Sequence, residues 1–289
     1  MIETFGKTLY NVPIKDYTTY KLDGIIKMVV YPDDLEKLKD LLKYLKENAI
    51  KHMVIGNGSN LIFKEDYDGV IIKLDNFKGL EIKDNIVRVE AGYNLMKLAI
   101  KTANLGLSGL EFAAGIPATI GGAVYMNAGA YKEDMSLVIS EITVLDDNLN
   151  IRVLKNEDLD FSYRHSLLQK SNLICLDATL VLKHGDKQKS LDLIYDRKRR
   201  RIESQPLDFP SAGSVFRNPD GKFAGELIES LGLKGKGVGD AVVSEKHANF
   251  IVNMGKAKGK DVMKLIKMIQ DEVKENYDVK LKVEQEFVE

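Results

Sequence analysis

Two stretches combine small residues with polar side chains at a spacing that could serve chemistry. "PSAGSVFRNP" (210–219) places Ser214 between glycine and valine, so its hydroxyl either belongs to an ordinary turn or is presented to a bound molecule. "GNGSN" (56–60) follows an apolar run, where glycines let backbone N–H groups approach an anion and Ser59 or Asn60 adds a donor. The second stretch lacks the G-K-[ST] of a P-loop, and it lacks the third glycine of the G-x-G-x-x-G dinucleotide-binding fingerprint. Taken alone, it is better interpreted as a plain turn after a strand.

A third stretch, "GLEFAAGIPATIGGAVYMNAGA" (109–130), is rich in glycine and almost free of charge. Exposed connections are rarely so apolar over this length, which suggests a backbone that lines a large ligand. Tight packing between domains is the alternative. Together with 56–60, the segment favours a ligand of dinucleotide size.

The other ionisable residues give weaker signals. The four histidines, at 52, 165, 184 and 247, have no carboxylate or cysteine cluster at ligand spacing, so we predict no metal. For His165 a structural hydrogen bond is favoured over an acid–base role. Helical positions lie about 100° apart, so the basic run 197–201 surrounds a helix and is mostly solvated. One or two of these side chains could reach a diphosphate.

Composition limits the class of protein. The 289 residues are 44% hydrophobic, enough for roughly two domains with a real core. Forty-two basic and forty-three acidic residues leave a formal charge of −1, which excludes general attraction to nucleic acid or to an anionic membrane. Cys175 lies in an apolar run and is predicted to be core. No signal-peptide pattern and no run of about 18 apolar residues is present, so we expect a cytoplasmic protein without a membrane partner.

Hydrophobic periodicity predicts the elements that must position these residues. A βαβ unit with a right-handed crossover is expected at the start, comprising a strand over 25–32, a helix capped by Asp33 and a strand from 52 that runs into the glycines. Hairpins are predicted at 84–85 and 147–148, and a helix ends before Gly106. The remaining predictions are a long helix from Lys187, a short helix over 225–233, a strand over 248–253, a helix over 259–277 and a terminal strand over 279–287.

Seven ordered motifs resemble one family along nearly the whole chain. They are "VIGNGSNLIF", "GLEFAAGIPATIGGAVYMNAGAY", "FSYRHS", "PSAGSVFRNP", "AGELIESLGLKG", "VSEKHANFIVN" and "VEQE". Their order and spacing are similar to those of the bacterial UDP-N-acetylenolpyruvoylglucosamine reductases, also called UDP-N-acetylmuramate dehydrogenases, which make the muramic acid precursor of peptidoglycan. No long insertion follows "YRHS", so the chain resembles the shorter subtype.

The resemblance implies an α+β fold, in which a two-part FAD-binding region of the vanillyl-alcohol-oxidase (PCMH) type is followed by a smaller α/β substrate-binding domain. We expect FAD-binding subdomain 1 at 1–65, subdomain 2 at 66–200 and the substrate-binding domain at 201–289. The resemblance also implies FAD as cofactor, NADPH as reducing cosubstrate and UDP-N-acetylglucosamine enolpyruvate as substrate. We expect a monomer.

Reduction of an enolpyruvyl ether needs a hydride at the terminal carbon, a proton at the adjacent carbon and stabilisation of the carboxylate on which charge develops. The resemblance implies Ser214 as proton donor, with Arg164 and Glu286 stabilising the carboxylate. Arg217 stands where the family more often has lysine, which keeps the charge and changes the hydrogen-bonding geometry. Cofactor contacts are implied at Gly56, Asn57, Gly58, Ser59, Asn60, Gly115, Ile116, Pro117, Thr119, Gly121, Gly122 and Ala123, and substrate contacts at Tyr131, Tyr163, Arg217 and Asn218.

Two other functions stay open from the sequence. A different flavoenzyme of the same fold, such as a sugar or alcohol oxidase, would pass its electrons to oxygen. A nucleotide-binding module without catalysis would show no flavin that NADPH reduces.

Overall fold

Helices and strands are mixed along the chain, and the computed structural model describes residues 2–289. The two longest helices span Lys187–Ser204 and Gly259–Tyr277, and each of the others spans 13 residues or fewer. The helices are α1 Leu35–Glu47, α2 Leu95–Asn104, α3 Ile120–Tyr125, α4 Lys187–Ser204, α5 Ala224–Ser230 and α6 Gly259–Tyr277.

The strands form two larger and several smaller sheets. One sheet has the order β1-β2-β5-β3 and another β12-β11-β13-β7-β6, while β15-β16-β17, β18-β4, β14-β8 and β10-β9 are smaller. The strands are β1 Gly6–Pro13, β2 Ile25–Pro32, β3 His52–Ile55, β4 Leu61–Phe63, β5 Tyr67–Lys73, β6 Leu80–Lys83, β7 Ile86–Glu90, β8 Leu107–Ser108, β9 Gly129–Ala130, β10 Glu133–Asp134, β11 Ile139–Leu145, β12 Ile151–Lys155, β13 Ile174–Val181, β14 Lys183–His184, β15 Gly237–Val238, β16 Ala241–Val243, β17 Ile251–Asn253 and β18 Glu286–Val288.

Contacts divide the chain into two units that are not continuous in sequence. Unit 1 comprises the N-terminal residues up to Thr8, Val30–Asn57 and Ile71–Arg201. Unit 2 comprises Leu9–Val29, Gly58–Val70 and Ile202–Glu289. The expected three-domain division at 65 and 200 stays a prediction.

The five-stranded sheet belongs to unit 1 and is antiparallel at every pairing. Its central strand β13 buries Ala178 and Leu180 on one face, while Asp177 and Thr179, which alternate with them, are only partly buried. That alternation follows from the two-residue period of a strand. The predicted hairpins are confirmed: β6 pairs with β7 across residues 84–85, and β11 pairs with β12 across residues 146–150.

The predicted helices are confirmed, with one error at a helix start and one at a helix end, since α5 ends at Ser230 and not at residue 233. Helix α1 begins at Leu35 and is capped by Asp34, whose carboxylate accepts a hydrogen bond of 2.8 Å from the Lys37 N–H. Asp33 was therefore the wrong cap. Its backbone N–H donates instead to the carbonyl of Phe5, which leaves Asp34 as the extended residue before the first turn.

Helix α6 shows why helices form where predicted. Its buried side chains recur at three- and four-residue spacing, so one stripe faces the core of unit 2. Its first residue, Gly259, packs against the end of β4, where a Cβ would lie 1.7 Å from the Phe63 carbonyl oxygen. Only glycine fits this approach. The buried residues of the stripe are Val262, Leu265, Ile266, Ile269 and Val273.

The terminal strand is shorter than predicted. Regular pairing covers Glu286–Val288, which lies parallel to the three-residue β4. Residues before it hydrogen-bond to an irregular segment instead: Arg217 N–H donates to the carbonyl of Lys282, and Glu284 N–H donates to that of Val215. A ladder cannot extend where its partner strand has ended. The strand predicted over 248–253 is similarly limited to Ile251–Asn253, because Phe250 turns back to His247.

The single cysteine is core, as predicted. Cys175 is buried in β13, and burial raises the pKa of its thiol to about 12. Across residues 2–289, no helix is both long enough and apolar enough to cross a bilayer.

Candidate active site

Ser214 lies in an irregular segment of unit 2. Gly213 before it has φ +76°, a backbone conformation that glycine adopts without strain. Val215 and Phe216 after it are almost fully buried, while Ser214 is only partly buried. No hydrogen-bond partner for the Ser214 hydroxyl occurs among residues 2–289, so its proton is directed at no protein acceptor.

Two segments hold the residues that follow Ser214. Val215 N–H donates to the carbonyl of Asn249 at 2.8 Å, and the Val215 carbonyl accepts from Glu284 N–H at 2.8 Å. The Asn249 side chain accepts from Phe216 N–H at 3.0 Å and donates to the Phe216 carbonyl at 2.8 Å. The buried Asn249 amide thus supplies one donor and one acceptor to the backbone of Phe216, as a neighbouring strand would do.

Glu286 lies at the start of β18 in the same unit. Its N–H donates to the carbonyl of Asn60 at 2.8 Å, and the residue pairs with Leu61. Burial raises the pKa of its carboxyl above the ordinary value, and the nearby positive charge of Arg217 opposes that rise. The protonated form is therefore favoured more than in water, and this form can donate a hydrogen bond.

Asn218 and Asn60 have structural partners within unit 2. The Asn218 side chain accepts from Ala224 N–H at 3.1 Å, at the start of α5. The Asn60 side chain donates to the carbonyl of Glu284 at 3.1 Å. Gly58, at φ +60°, approaches the Tyr17 carbonyl so closely that a Cβ would lie 2.2 Å from its oxygen. Asn218 therefore holds the start of α5, and Asn60 connects the loop 58–60 to the terminal segment.

In unit 1, the end of β3 packs on the long glycine-rich segment. A Cβ on Gly56 would lie 2.5 Å from the Thr119 hydroxyl, and the Asn57 side chain donates to the Pro117 carbonyl at 3.1 Å. Buried Lys73 donates to the Gly56 carbonyl and lies 3.3 Å from Asp75. The backbone N–H groups of Gly56 and Asn57 have no acceptor within the described part of the chain.

The first N–H groups of the short helix α3 already have partners. Ile120 donates to Tyr93, Gly121 donates to Ala91, and Gly122 donates to the Thr119 hydroxyl at 3.3 Å. An anion would have to displace these bonds to use the start of α3. Contacts from Gly115, Ile116, Pro117, Thr119, Gly121, Gly122 and Ala123 to the cofactor stay predictions.

Arg164 forms the tip of a tight turn in unit 1. It has φ +57°, which is uncommon for a residue with a side chain, and Ser162 and His165 exchange backbone hydrogen bonds around it. Its guanidinium donates to the Gly129 carbonyl at 2.7 Å and lies 4.9 Å from the ring centroid of Tyr163. A strained, anchored arginine is typical of functional sites.

His165 has the structural role that was favoured for it. One ring nitrogen lies 3.1 Å from the Gln169 side-chain oxygen and the other lies 3.3 Å from Asp160. Gln169 also donates to the carbonyl of Arg164 at 3.1 Å, so this network supports the arginine turn.

The basic run on α4 is mostly exposed, as predicted, and its first and last members differ from the rest. Arg197 pairs with Glu133 at 2.7 Å and lies 4.7 Å from the ring of Tyr131, whose hydroxyl donates to the Arg197 carbonyl. Arg201 lies against Gly115 in a small cleft, and burial lowers the pKa of its guanidinium. No acceptor for that guanidinium occurs among residues 2–289. A desolvated cation of this kind attracts an anion.

Comparison with known proteins identifies the family. Residues 26–153 match an FAD-binding domain, and residues 205–288 match the C-terminal domain of UDP-N-acetylenolpyruvoylglucosamine reductase. The chain is 44% identical to that reductase from Caldicellulosiruptor saccharolyticus over 97% of this chain and 91% of the relative. The chain belongs to the UDP-N-acetylenolpyruvoylglucosamine reductase family.

Two further relatives agree. The reductase from Bacillus subtilis is 43% identical over 98% of this chain and 94% of its own length. The crystal structure of the reductase from Thermus caldophilus superposes with a TM-score of 0.83 at 35% identity, covering 98% of each chain. The predicted α+β architecture, with an FAD-binding region before a distinct C-terminal domain, is thereby confirmed.

This UDP-N-acetylenolpyruvoylglucosamine reductase family member is an FAD-dependent oxidoreductase. The residues of unit 1 fit the cofactor. Gly56 and Asn57 offer N–H groups without an acceptor, Lys73 lies beneath them, and Arg201 is a cation without an anionic partner. That donor set suits the diphosphate of a dinucleotide. Within residues 2–289, no group of three or more His, Cys, Asp and Glu could hold a metal ion.

Sequence reasoning missed three buried polar residues that support the site. They are Lys73 under the glycine loop, Asn249 beside Phe216, and Gln285, whose amide donates to the carbonyls of Ala212 and Gly213. Lys73 carried a signal, because a lysine within the apolar run "GVIIKL" predicts a buried cation. For Asn249 and Gln285 the partners are far away in sequence, and the local pattern contains no sign of them.

Proposed function

We propose that this protein reduces UDP-N-acetylglucosamine enolpyruvate to UDP-N-acetylmuramate, with NADPH as hydride source, in the synthesis of peptidoglycan precursors. The observation that carries the proposal is the similarity to UDP-N-acetylenolpyruvoylglucosamine reductases over nearly the full chain. The geometry around Ser214 and Glu286 is consistent with the chemistry that this reaction needs.

The chemistry that FAD supplies when bound is the relay of a hydride from NADPH to the terminal carbon of the enolpyruvyl double bond. The pair of electrons of that double bond then forms a carbanion next to the carboxylate, and the charge spreads onto the carboxylate oxygens. Uptake of one proton at the carbanionic carbon completes the reduction and leaves the ether intact. The protein therefore needs a proton donor at that carbon and a stabilising group at the carboxylate.

Ser214 is the proposed proton donor. Its hydroxyl is only partly buried and has no acceptor among the described residues, so it is available to a bound substrate. A serine hydroxyl is a weak acid, so the alkoxide must recover its proton from water. Exclusion of bulk solvent during the transfer would strengthen the interaction between the hydroxyl and the carbanion.

Arg164 and Glu286 are proposed to stabilise the carboxylate. The guanidinium of Arg164 supplies a permanent positive charge held by its bond to Gly129. Glu286 acts in its protonated form, which burial favours by raising its pKa, and donates a hydrogen bond to the developing charge. Tyr131, Tyr163, Arg217 and Asn218 are the proposed contacts to the rest of the substrate. Arg201 is proposed to pair with a diphosphate.

An anaerobic absorbance titration tests the proposal. FAD-loaded protein receives NADPH and then UDP-N-acetylglucosamine enolpyruvate. We expect the first addition to bleach the flavin band and the second to restore it. Bleaching that only oxygen reverses would indicate an oxidase of the same fold, and a flavin unchanged by NADPH would indicate a binding module.

Replacing Ser214 by alanine should separate the two halves of the reaction. General acids contribute about 10² to 10⁴-fold, so the rate of flavin reoxidation by substrate should fall by that factor in Ser214→Ala. Flavin reduction by NADPH should stay within about twofold, because no proton from Ser214 is required. Stopped-flow absorbance measures both steps. Ser211→Ala, in the same segment, is the matched control and should reoxidise normally; equal rates in the two variants would reject the assignment.

A monomeric, cytoplasmic protein was expected from the sequence and stays a prediction.

A further inference from the structure

The direction of the Ser214 side chain depends on the two peptide groups that flank its Cα. Each peptide group is planar, so hydrogen bonds that hold both planes also hold φ and ψ of Ser214 and the direction of its Cβ. The plane after Ser214 is held through Val215 N–H, which donates to the carbonyl of Asn249. The plane before Ser214 contains the carbonyl of Gly213.

The Gly213 carbonyl accepts a hydrogen bond from a side chain. The Gln285 amide nitrogen donates to it at 3.2 Å and to the Ala212 carbonyl at 3.1 Å. No other donor to these two carbonyls occurs among residues 2–289. Because Gly213 is glycine at φ +76°, its own backbone offers little resistance to rotation of this plane. Gln285 therefore supplies the restraint.

The amide oxygen of Gln285 makes no contribution to stability through a hydrogen bond. The residue is 3% exposed, and its amide oxygen is buried without a hydrogen-bond partner. An unsatisfied buried acceptor costs stability, and the two bonds made by the nitrogen are of ordinary length. An apolar side chain of the same shape would avoid that cost, but it would leave the carbonyls of Ala212 and Gly213 without a donor. A buried polar group of this kind needs a specific explanation, and the two carbonyls that the amide nitrogen holds supply it.

We propose that Gln285 is a positioning residue for the proton transfer: its amide nitrogen holds the peptide group between Gly213 and Ser214 and thereby aims the Ser214 hydroxyl. The inference rests on the proposed function, in which Ser214 donates the proton. Gln285 itself touches neither substrate nor cofactor in this scheme. Its neighbour in sequence, Glu286, points its N–H at Asn60, so the terminal segment positions two proposed catalytic groups at once.

Gln285→Met tests the role, because methionine keeps the length of the side chain and removes the donor. In FAD-loaded protein we expect the rate of flavin reoxidation by UDP-N-acetylglucosamine enolpyruvate to fall about 10- to 100-fold, a part of the loss expected for Ser214→Ala. Flavin reduction by NADPH should stay within about twofold of wild type. The solvent deuterium isotope effect on reoxidation should increase, since the slowed step is the proton transfer.

Asn253→Leu is the matched control. Asn253 is another buried amide of unit 2, and its nitrogen donates to the carbonyls of Tyr20 and Lys21 at 3.1 and 2.8 Å. Its loss should lower the unfolding temperature and leave the reoxidation rate and the isotope effect unchanged. Gln285→Met should slow reoxidation and increase the isotope effect, whatever its effect on the unfolding temperature.

Gln285→Glu gives an independent measurement and serves if the methionine variant does not fold. A glutamate carboxylate cannot donate, whereas its protonated form can donate to one of the two carbonyls. The reoxidation rate of this variant, relative to wild type, should therefore rise as the pH falls.

Three outcomes are decisive. Slower reoxidation with a larger isotope effect in Gln285→Met, or recovery at low pH in Gln285→Glu, would support the role. Wild-type reoxidation kinetics in both variants would overturn it while leaving the proposed function in place. Failure of the wild-type flavin to be reoxidised by the enolpyruvyl substrate would overturn the proposed function, and the inference with it.

Discussion

Glu286 shows how burial alone prepares a residue for its proposed role. Desolvation raises the pKa of its carboxyl, and the charge of Arg217 only partly compensates. Because the folded-state pKa lies above the unfolded one, folding favours the protonated form. The protein therefore loses stability as the pH rises through the folded-state pKa, and the loss is absent below the unfolded pKa of about 4.3.

Glu286→Gln should consequently be more thermostable than wild type at pH 8, with a difference that disappears near pH 4. Thermal denaturation at both pH values measures it. Glu65→Gln is the control of opposite sign: Lys260 lowers the pKa of the exposed Glu65 carboxyl, so its small contribution to stability is present at pH 8 and declines as the pH falls. A Glu286 variant that loses stability at pH 8 would contradict the argument.

Two elements that are distant in sequence must approach closely to form the proposed flavin-binding face of unit 1. The end of β3 meets the segment before α3 at Gly56 and Thr119, where a Cβ would lie 2.5 Å from the threonine hydroxyl. Such a contact forces one element to shift, and overpacking of this kind costs about 1–3 kcal/mol. The loop whose free N–H groups we propose as cofactor contacts would move with it.

Gly56→Ala should therefore weaken FAD binding by about tenfold, the factor that corresponds to 1.4 kcal/mol. Quenching of flavin fluorescence on titration of the apoprotein gives the dissociation constant. The double variant Gly56→Ala, Thr119→Ala should recover part of the affinity, because the clashing hydroxyl is gone. Thr119→Ala alone is the reference variant. It corrects for the loss of the Thr119 cap of α3, which by itself costs about 1 kcal/mol of stability. A double variant as weak as Gly56→Ala would exclude the clash as the cause.

At the scale of the molecule, Cys175 reports on unfolding. Its thiol is buried in the central strand of the five-stranded sheet, and its pKa of about 12 leaves almost no thiolate at pH 8. Modification by a thiol reagent should therefore require opening of the sheet. A ligand that binds only the folded protein stabilises it by about 2.7 kcal/mol at 100 times its dissociation constant.

We expect FAD at about 100 times its dissociation constant to slow Cys175 modification by about 100-fold. This holds when the protein unfolds and refolds faster than the exposed thiol reacts. A chromogenic disulfide reagent follows the rate at pH 8, with and without FAD. The rate in denaturant is the control for intrinsic reactivity. A rate that FAD does not change would mean that the thiol is exposed by local opening of β13, not by unfolding.

Local signals in the sequence are sufficient to predict several elements. Period-three and period-four apolar residues specify α6, turn-forming residues specify the hairpins at 84–85 and 146–150, and Gly106 ends α2 at φ +72°. Seven motifs in order were enough to predict the family. These signals are readable because neighbouring residues determine them.

Other features depend on contacts between distant segments. The choice of Asp34 over Asp33 depended on a bond to Phe5, and the length of the last strand depended on the three residues of β4. Gln285 meets Ala212 across 73 positions, and Gly56 meets Thr119 although each looks like an ordinary loop residue in its own segment. Contacts of this kind arise when the chain closes on itself. No local pattern of residues encodes them, because packing between distant segments determines which groups are brought together.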